Sequence, residues 1–419
     1  MDKIIQRLGW SLMLSAFLAS ASFAQRPLSW DEVRQRFEAN NPLLQAGQLG
    51  VDESKANEIT AFLRPNPTAT FLADQIDPFP GGPSHSSLGF LLTSGTVNYL
   101  HERQHKRELR RESAQEATQV AVSSQSDLER TLLFMLRSAF VQALQGKAVL
   151  DLARENLKYY DHVLDISRER YKAGDIAQVD LDRLELQRVQ YESDLQTAEV
   201  NLRTAKIQLL ALLNDRTPVE QFDVTGLFDF SNQIPPLDDV RQTALDNRPD
   251  LRAALQSVIK AKTDHQLAVA NGSTDPTFGF DVGRNPPIDQ YIGVSVGIPL
   301  RIFDRNQGEK LRTQLDIDRN QRLTDAARAQ VLNDVDSAHA AVNSTVILLQ
   351  PYKDRYLKQA ERVRDTISFS YSHGAASLLD FLNAQSDYRM VELNYLNLVG
   401  SYFQAASQLN LAVGREVIQ

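Results

Sequence analysis

The stretch TFGFDVGRNPPIDQYIGVSVGIPL, residues 277–300, decides the fold of this 419-residue chain. Large apolar side chains occupy every second position on both sides of a Pro-rich turn, and small or polar residues stand between them. A period of two residues is that of a β-strand whose faces meet different surroundings. The pattern predicts a hairpin with strands at about 277–283 and 291–300. The side chains expected on its apolar, lipid-facing side are Phe278, Phe280, Val282, Ile292, Val294 and Val296.

A weaker copy of this hairpin is predicted in the first half of the chain. Its strands are expected at about 68–75 and 88–97, on either side of a loop at 77–87 that is rich in Pro and Gly. Four short strands cannot close a barrel in a membrane, because a lipid-embedded barrel needs about eight or more strands and leaves no open edge. If the strands enter a membrane, several copies of the chain must therefore share one barrel of eight, twelve or sixteen strands.

The two hairpins belong to an internal repeat, in which corresponding positions lie 200 to 207 residues apart. The matching segments are DEVR (31–34) with DDVR (238–241), NPL (41–43) with RPD (248–250), and YKAGDIAQVD (171–180) with YSHGAASLLD (371–380). An internal repeat of this length indicates one structural plan built twice. We therefore divide the chain into a first repeat, residues 25–235, and a second repeat, residues 236–419.

Each repeat is predicted to contain a helix, two strands, a very long helix, a tight turn and a second long helix. In the first repeat the helices are expected at about 43–63, 99–171 and 177–213, and apolar residues recur along them at the alternating three and four spacing of a supercoiled seam. The turns are expected at 172–176 and 372–377. Pro351 should interrupt the long helix of the second repeat. The predicted fold class is thus mainly α with a small β part.

The composition excludes several classes of function. The chain has no cysteine, so disulfides, thiolate metal sites and cysteine nucleophiles are absent. No nucleophile elbow, phosphate loop or metalloprotease signature occurs, so we expect neither an enzyme nor a bound cofactor. The formal net charge of −8 argues against nucleic acid as a partner.

The amino terminus has the pattern of a secretory signal peptide. Lys3 and Arg7 precede an apolar stretch at residues 8–23, and small residues lead up to Ala24. We expect residues 1–24 to be removed and the mature chain to leave the cytoplasm. Together with the shared barrel, export from the cytoplasm favours a location in an outer membrane. The long helices would then continue the barrel as a tube on the periplasmic side.

The duplicated strand and helix plan, with Tyr171, Gly174 and Asp180 in one repeat and Tyr371, Gly374, Asp380 and Asn383 in the other, resembles the TolC family of outer membrane efflux proteins. The resemblance covers the whole mature chain. It implies a homotrimer with a twelve-stranded outer membrane barrel and a long α-helical barrel in the periplasm. It also implies docking to a periplasmic adaptor and an inner-membrane transporter. Within the family, the short loops and the missing lipidation cysteine are similar to the CzcC-like branch that serves heavy-metal efflux pumps.

Two carboxylates are the first candidates for the entrance of such a duct. Asp180 and Asp380 each lie six residues beyond a turn glycine, and in a trimer they would form a ring of six that selects for cations. The alternative is that both only favour the start of a helix. Asn383 lies where relatives carry a further carboxylate, so a second ring would be weaker here.

Two tyrosines and the turns themselves are the other candidates. The resemblance implies that Tyr371, and with it Tyr171, takes part in closing the entrance, although both could merely pack. The arginine expected just beyond the second turn glycine is absent, since Ala375 and Ala376 stand there. The resemblance also implies that the tips around Ala173, Gly174, Gly374 and Ala375 contact the adaptor.

Histidines and a basic run are interpreted as solvated surface. His101 and His105 have a helical spacing that can bind metal, and His373 lies in a turn, but no cysteine or converging carboxylate completes a metal site. The basic run at 103–111 indicates a solvated face near the periplasmic membrane surface.

Two other functions stay open at this point. A periplasmic coiled-coil adaptor or scaffold would have one helical hairpin flanked by compact β domains, and a type I secretion exit channel would share the plan described above. The loops at 77–87 and 285–290 could in addition serve as receptor sites. The sequence does not distinguish metal ions, drugs or proteins as cargo.

Overall fold

A computed structural model describes residues 26–74, 92–285 and 288–418, without the side chains of residues 288 and 289. The predicted signal peptide at 1–24 and the loop at 77–87 lie outside the described residues. The fold class predicted from the sequence, mainly helical with a small β part, is confirmed.

Four antiparallel strands form one sheet in the order β1-β2-β3-β4. The strands are β1 (Thr68–Asp74), β2 (Leu92–Leu100), β3 (Thr277–Asn285) and β4 (Ile288–Gly297). Several predicted strand bounds were wrong, and β3 extends two residues beyond the predicted 283. The strand expected at 88–97 continues to Leu100, because β2 pairs with β3 as far as Thr277. The strand expected at 291–300 ends at Gly297, and it begins earlier because Asn285 pairs with Ile288.

The strand register gathers the apolar side chains on one face of the sheet. Successive rows across β2, β3 and β4 are Tyr99, Phe278 and Val296; Val97, Phe280 and Val294; and Gly95, Val282 and Ile292. The six predicted outward residues of β3 and β4 are between 45% and 84% exposed. The opposite face carries mainly Thr, Ser, Asn, Asp and Gly. One chain alone therefore leaves a large apolar surface uncovered.

Nine helices make up most of the described residues. They are α1 (Trp30–Asn40), α2 (Pro42–Phe62), α3 (Lys106–Ala173), α4 (Gln178–Leu212), α5 (Leu237–Asn247), α6 (Pro249–Asn271), α7 (Gln307–Pro351), α8 (Leu357–Ser372) and α9 (Leu378–Val413). Each repeat begins with two helices rather than the single one predicted. The long helix begins at Lys106 rather than near residue 99, because the chain as far as Leu100 belongs to β2. At about 1.5 Å per residue, the 68 residues of α3 extend about 100 Å.

The paired short helices meet at the same duplicated position in both repeats. Asn41 accepts hydrogen bonds from the amides of Leu43 and Leu44, and it donates one to the Leu212 carbonyl oxygen at 3.1 Å. Its counterpart Arg248 donates to the Ala412 carbonyl oxygen at 3.3 Å. In each repeat, one side chain thus ties the start of the second short helix to the end of the last long helix.

The long helix of the second repeat is interrupted as predicted. Pro351 has no backbone N–H to donate, and a π-helical turn at Tyr352–Tyr356 separates α7 from α8. The corresponding helix α3 has no such break. Lys353 within the turn contacts the linker between the repeats through Asp229, at 2.5 Å. The long helix of the first repeat is therefore continuous as far as its reversal, whereas that of the second repeat is interrupted between α7 and α8.

Replacing Arg248 should destabilise the fold. Arg248 is 5% exposed and contacts Asp250 at 2.6 Å and Asp334 at 2.7 Å. The change Arg248→Met leaves two carboxylates without their cation, and removing one member of a buried pair costs about 3–5 kcal/mol. We expect the free energy of unfolding, measured by denaturant titration of the purified protein, to fall by about that amount.

Arg241→Met is the matched control. Arg241 forms an ion pair with Asp336 at 2.7 Å, but both side chains are more than a third exposed, and exposed pairs contribute only about 0–1 kcal/mol. Equal losses for the two substitutions would show that Arg248 does not join the helices of the second repeat.

Candidate functional site

The two helix reversals lie together at the end of the rods away from the sheet. A shared apolar cluster joins them, with Leu181 and Tyr191 from the first hairpin and Tyr371 and Phe381 from the second. We call the hairpin of α3 and α4 the first helical hairpin, and that of α8 and α9 the second helical hairpin. Their reversals form the tip.

Both reversals use glycine in the left-handed conformation. Gly174 has φ +85° and Gly374 has φ +76°, a region that other residues rarely adopt. In the first reversal, the Gly174 amide donates to the Tyr171 carbonyl oxygen and the Asp175 amide to that of Arg170. The second reversal repeats this Schellman pattern. The predicted tip residues Ala173 and Ala375 are exposed beside these glycines.

Asp380 caps a helix. Its carboxylate accepts hydrogen bonds from the Ser377 hydroxyl at 2.7 Å and the Ser377 amide at 3.3 Å, while the Asp380 amide donates to the Ser377 hydroxyl. This capping box begins α9 and supports the helix-start role for Asp380. The side chain is nevertheless exposed, so its charge still faces solvent at the tip.

Asp180 differs from its counterpart. It also lies in the first turn of its helix, but no side-chain cap precedes α4, because Ala177 stands where the second repeat has Ser377. Asp180 is half-buried and close enough to Tyr371 to disfavour ionisation of its phenol. Asn383 is exposed one turn after Asp380.

The two predicted tyrosines occupy different environments. Tyr371 is 5% exposed, and its ring stacks on Phe381 with centroids 4.9 Å apart. Burial raises the pKa of Tyr371, so its phenol stays neutral at physiological pH. Tyr171 is 39% exposed, so it is packed less fully than its counterpart.

An arginine that the sequence reasoning did not single out joins the two hairpins. Arg170, in the last turn of α3, donates a hydrogen bond from Nη1 to the Tyr371 carbonyl oxygen at 2.8 Å. Its guanidinium carbon lies 5.3 Å from the centroid of the Tyr371 ring. The arginine expected after Gly374 is absent, and a cation from the other repeat reaches the same turn. The only sequence signal was its place beside Tyr171.

Two further arginines join the hairpins higher along the rods. The Arg364 guanidinium of α8 lies 5.0 Å from the Tyr159 ring of α3 and 4.0 Å from the Tyr388 ring of α9. Arg389 of α9 donates to Asp194 of α4 at 2.8 Å. Three cationic side chains at three heights therefore hold the second hairpin against the first.

A groove of mixed polar and apolar lining opens between α3, α4 and α9, and the Arg389–Asp194 pair forms part of its wall. Its cavity measures about 670 Å³ and is lined largely by amide, hydroxyl and small apolar side chains, among them Gln142, Asn156, Asn201, Gln208 and Asn397. No group of three or more His, Asp or Glu side chains able to hold a metal ion occurs in the described part of the chain. The groove lies between helices of both hairpins.

The histidines considered for metal binding are dispersed among the described residues. His101 lies beside Phe278 with ring centroids 6.5 Å apart, and His105 adopts a left-handed conformation just before α3. His373 packs against Phe369 at the tip.

None of the helices among residues 26–74, 92–285 and 288–418 is long and apolar enough to cross a membrane.

Comparison with known sequences matches most of the second repeat to a protein family. Residues 240–415 fit the family model described as outer membrane efflux protein. The cobalt-zinc-cadmium resistance protein CzcC of Cupriavidus metallidurans is 27% identical over 283 residues, which are 63% of this chain and 65% of that protein. The pyoverdine export outer membrane protein OpmQ of Pseudomonas aeruginosa is 25% identical over 305 residues, 69% of this chain and 62% of OpmQ. Less than two thirds of either relative is matched.

Comparison with solved structures extends the likeness to nearly the whole chain. The channel CusC superposes with a TM-score of 0.77 at 16% identity, covering 94% of this chain and 96% of CusC. The outer membrane protein VceC of Vibrio cholerae gives a TM-score of 0.75 at 14% identity, covering 93% and 96%. At these identities the likeness shows the fold alone. This fold agrees with the one predicted from the internal repeat of the sequence. The chain is therefore similar to outer membrane efflux proteins in the sequence of its second repeat, and to solved outer membrane channels in the fold of both repeats.

Proposed function

We propose that this protein is the outer membrane exit duct of a tripartite efflux pump. It passively conducts substrates that an inner-membrane transporter delivers through a periplasmic adaptor. The family model that matches its second repeat describes outer membrane efflux proteins, and the duct would lie in the outer membrane with its helices extending into the periplasm. Two alternative functions are considered. A periplasmic coiled-coil adaptor would differ from the duct in its location, and a type I secretion exit channel would differ in its partners.

The observation that carries this proposal is the one-sided sheet. Its apolar face is exposed over β3 and β4, whereas the other face is polar, as in strands with one side to lipid and one to a water-filled lumen. Strands β1 and β4 each pair on one side only within the described chain. Their free backbone groups would be costly in a bilayer, so neighbouring copies must pair with them.

A homotrimer satisfies these requirements. Three copies supply twelve strands, enough for a closed barrel, and β4 of one copy would pair with β1 of the next. The long helices of three copies would then surround one tube below the barrel. The observed strands have 7 to 10 residues, close to the roughly 9–11 residues that a tilted strand needs to cross a bilayer.

The adaptor reading is the weaker alternative. Both hairpins of strands pair with each other in one sheet, whereas an adaptor would carry separate compact β domains flanking a single helical hairpin. The cargo is a separate question. The similarity to a cobalt-zinc-cadmium resistance protein supports divalent metal cations as the first cargo class to test, and the similarity to a pyoverdine exporter makes a siderophore the second.

The tip is proposed as the gated entrance. Arg170 and the buried Tyr371 hold the second hairpin against the first, and Asp180 and Asp380 add negative charge around the opening. In a trimer, six carboxylates would attract cations and disfavour anions. The exposed tip residues around Gly174 and Gly374 would meet the adaptor.

The proposal predicts opposite outcomes for two neighbouring residues of β4. Val294→Arg places a charge on the lipid face, which costs about 2–4 kcal/mol near the bilayer midplane, so membrane insertion and trimer yield should fall sharply. Ser295→Arg places the same charge on the lumen face and should leave assembly intact. Membrane fractionation and mass photometry of the detergent-extracted protein measure both. A wild-type protein that fractionates as a soluble monomer would refute the duct.

The carboxylates of the tip should control block by cations. Asp180→Asn with Asp380→Asn removes six charges from the trimer, so a trivalent cation such as hexaamminecobalt should block single-channel current less strongly. Asn at position 380 can still accept from Ser377, which keeps the helix cap. Asp182→Asn with Asp387→Asn is the charge-matched control. Unchanged block in the first variant would argue against a carboxylate ring.

Removing Arg170 should loosen the entrance. Arg170→Gln loses the hydrogen bond to the Tyr371 carbonyl oxygen and the guanidinium above the ring, and a hydrogen bond to a charged group contributes about 1.5–3 kcal/mol. We expect a larger mean single-channel conductance in planar bilayers. Arg168→Gln is the control, because Arg168 pairs with Glu185 within the first hairpin. Equal conductance in both variants would contradict the role of Arg170.

A further inference from the structure

All four connections between strands and helices meet at one level of the molecule. The Arg110 guanidinium at the start of α3 donates to the Ala61 carbonyl oxygen at the end of α2. The His101 amide after β2 donates to the Pro276 carbonyl oxygen before β3, and Asn306 after β4 donates to the Ala268 carbonyl oxygen in α6. We call the surface formed by residues 61–64, 101–111, 272–276 and 298–312 the junction belt.

The junction belt is basic although the chain is acidic. Residues 101–111 contain five Lys or Arg and two Glu, and residues 298–312 contain four Lys or Arg, one Asp and one Glu, whereas the whole chain has a net charge of −8. Four belt arginines are exposed and make no ion pair within 4.0 Å among residues 26–74, 92–285 and 288–418. They are Arg64, Arg103, Arg111 and Arg305.

The acidic residues of the junction belt are already engaged. Asp275 accepts from Lys106 at 2.6 Å, and Glu102 accepts from Arg110. Asp304 accepts from the Asn306 amide at 2.8 Å, within its own turn. The exposed arginines therefore face outward with no counter-charge close by, and they can bind anions from outside.

The apolar stripe of β4 continues into the junction belt. Beyond the last paired residue, Gly297, the exposed side chains are Ile298 at 58%, Leu300 at 78%, Ile302 at 62% and Phe303 at 89%. The first three keep the two-residue spacing of the lipid-facing residues on β4. Phe303 is thus a large aromatic side chain, almost free of protein contact, at the level of the unpaired arginines.

We propose that the junction belt lies in the headgroup layer of the periplasmic leaflet, where Ile302 and Phe303 enter the acyl boundary and Arg103 and Arg305 bind the phosphates of anionic glycerophospholipids. Aromatic and basic side chains are the residues that anchor proteins at this depth. Each arginine near an anionic membrane surface strengthens binding about fivefold. This inference rests on the proposed function and adds where the membrane ends along the chain and which lipid it selects.

Phe62 gives the junction belt a second apolar contact that supports this orientation. The Arg107 and Arg111 guanidinium carbons lie 4.4 Å and 4.7 Å from the centroid of its ring, which is itself 37% exposed. The neighbouring Leu63 is 61% exposed. Both the α2 end and the β4 end of the junction belt thus combine exposed apolar carbon with arginine, as a headgroup layer requires.

The depth of Phe303 can be measured in the full-length protein. Phe303→Trp adds a reporter to a chain whose only tryptophans are Trp10 and Trp30. The variant is reconstituted in vesicles of phosphatidylcholine and phosphatidylglycerol, with phosphatidylcholine brominated near the top of its acyl chains as quencher. We expect strong quenching of the added emission. Phe369→Trp, an exposed phenylalanine of α8 at the tip, is the matched control and should not be quenched.

A second reporter separates this inference from the proposed function. Val294→Trp lies on the lipid face of β4 and should be quenched whenever the sheet enters the bilayer. Quenching at position 294 without quenching at 303 would overturn the junction belt while leaving the duct intact. Absence of quenching at both positions would overturn the duct itself.

The choice of lipid is tested by charge removal. Arg103→Gln with Arg305→Gln should lower the enrichment of phosphatidylglycerol over phosphatidylcholine around the reconstituted protein, measured by native mass spectrometry of bound lipids, by at least about fivefold. Arg322→Gln with Arg362→Gln removes two exposed charges from the rods and should leave the enrichment unchanged. Equal enrichment in the wild type and the belt variant would refute phosphate binding by the junction belt.

Discussion

The backbone hydrogen bonds at the edges of the sheet are the constraint on which the rest of the structure depends. Strands β1 and β4 each have one edge with no partner in the described chain. In a bilayer no water is present to satisfy those groups, and each unpaired group costs several kcal/mol. The same sheet exposes an apolar face that a soluble monomer would have to hide. Assembly with other copies resolves both difficulties at once, and it fixes where the rods must lie, since every helix leaves the sheet at the same end.

The two repeats make equivalent contacts where their helices are joined, and they differ at the tip. Asn41 and Arg248 make equivalent bonds in the two repeats although their side chains differ in length and charge. At the tip, Tyr371 is buried and Tyr171 is exposed. The long helix of the second repeat is broken after Pro351, whereas α3 runs unbroken.

Much of the fold could be predicted because its signals are periodic and local. Alternation gave the strands, three and four spacing gave the helices, and the glycines of the turns gave both reversals. Strand ends were missed because pairing partners, which determine them, are distant in sequence; Leu100 joins β2 through its contact with Thr277. Arg170 was missed for the same reason, since its acceptor lies 201 residues away. The helix-start alternative for Asp380 had a local signal, because Ser377 lies three residues before it and forms a capping box with it.

A duct that opens on contact needs a closed state that is ordered but only weakly preferred. The links across the hairpins are the shared apolar cluster at the tip, one hydrogen bond from Arg170, an arginine between two rings and one ion pair. A hydrogen bond to a charged group contributes about 1.5–3 kcal/mol, and a partner with micromolar affinity supplies about 8 kcal/mol on binding. A partner that bound only the open tip could thus offset the Arg170 hydrogen bond within one protomer. Three such partners could do the same in each protomer of a trimer. The proposed duct therefore requires no energy source of its own.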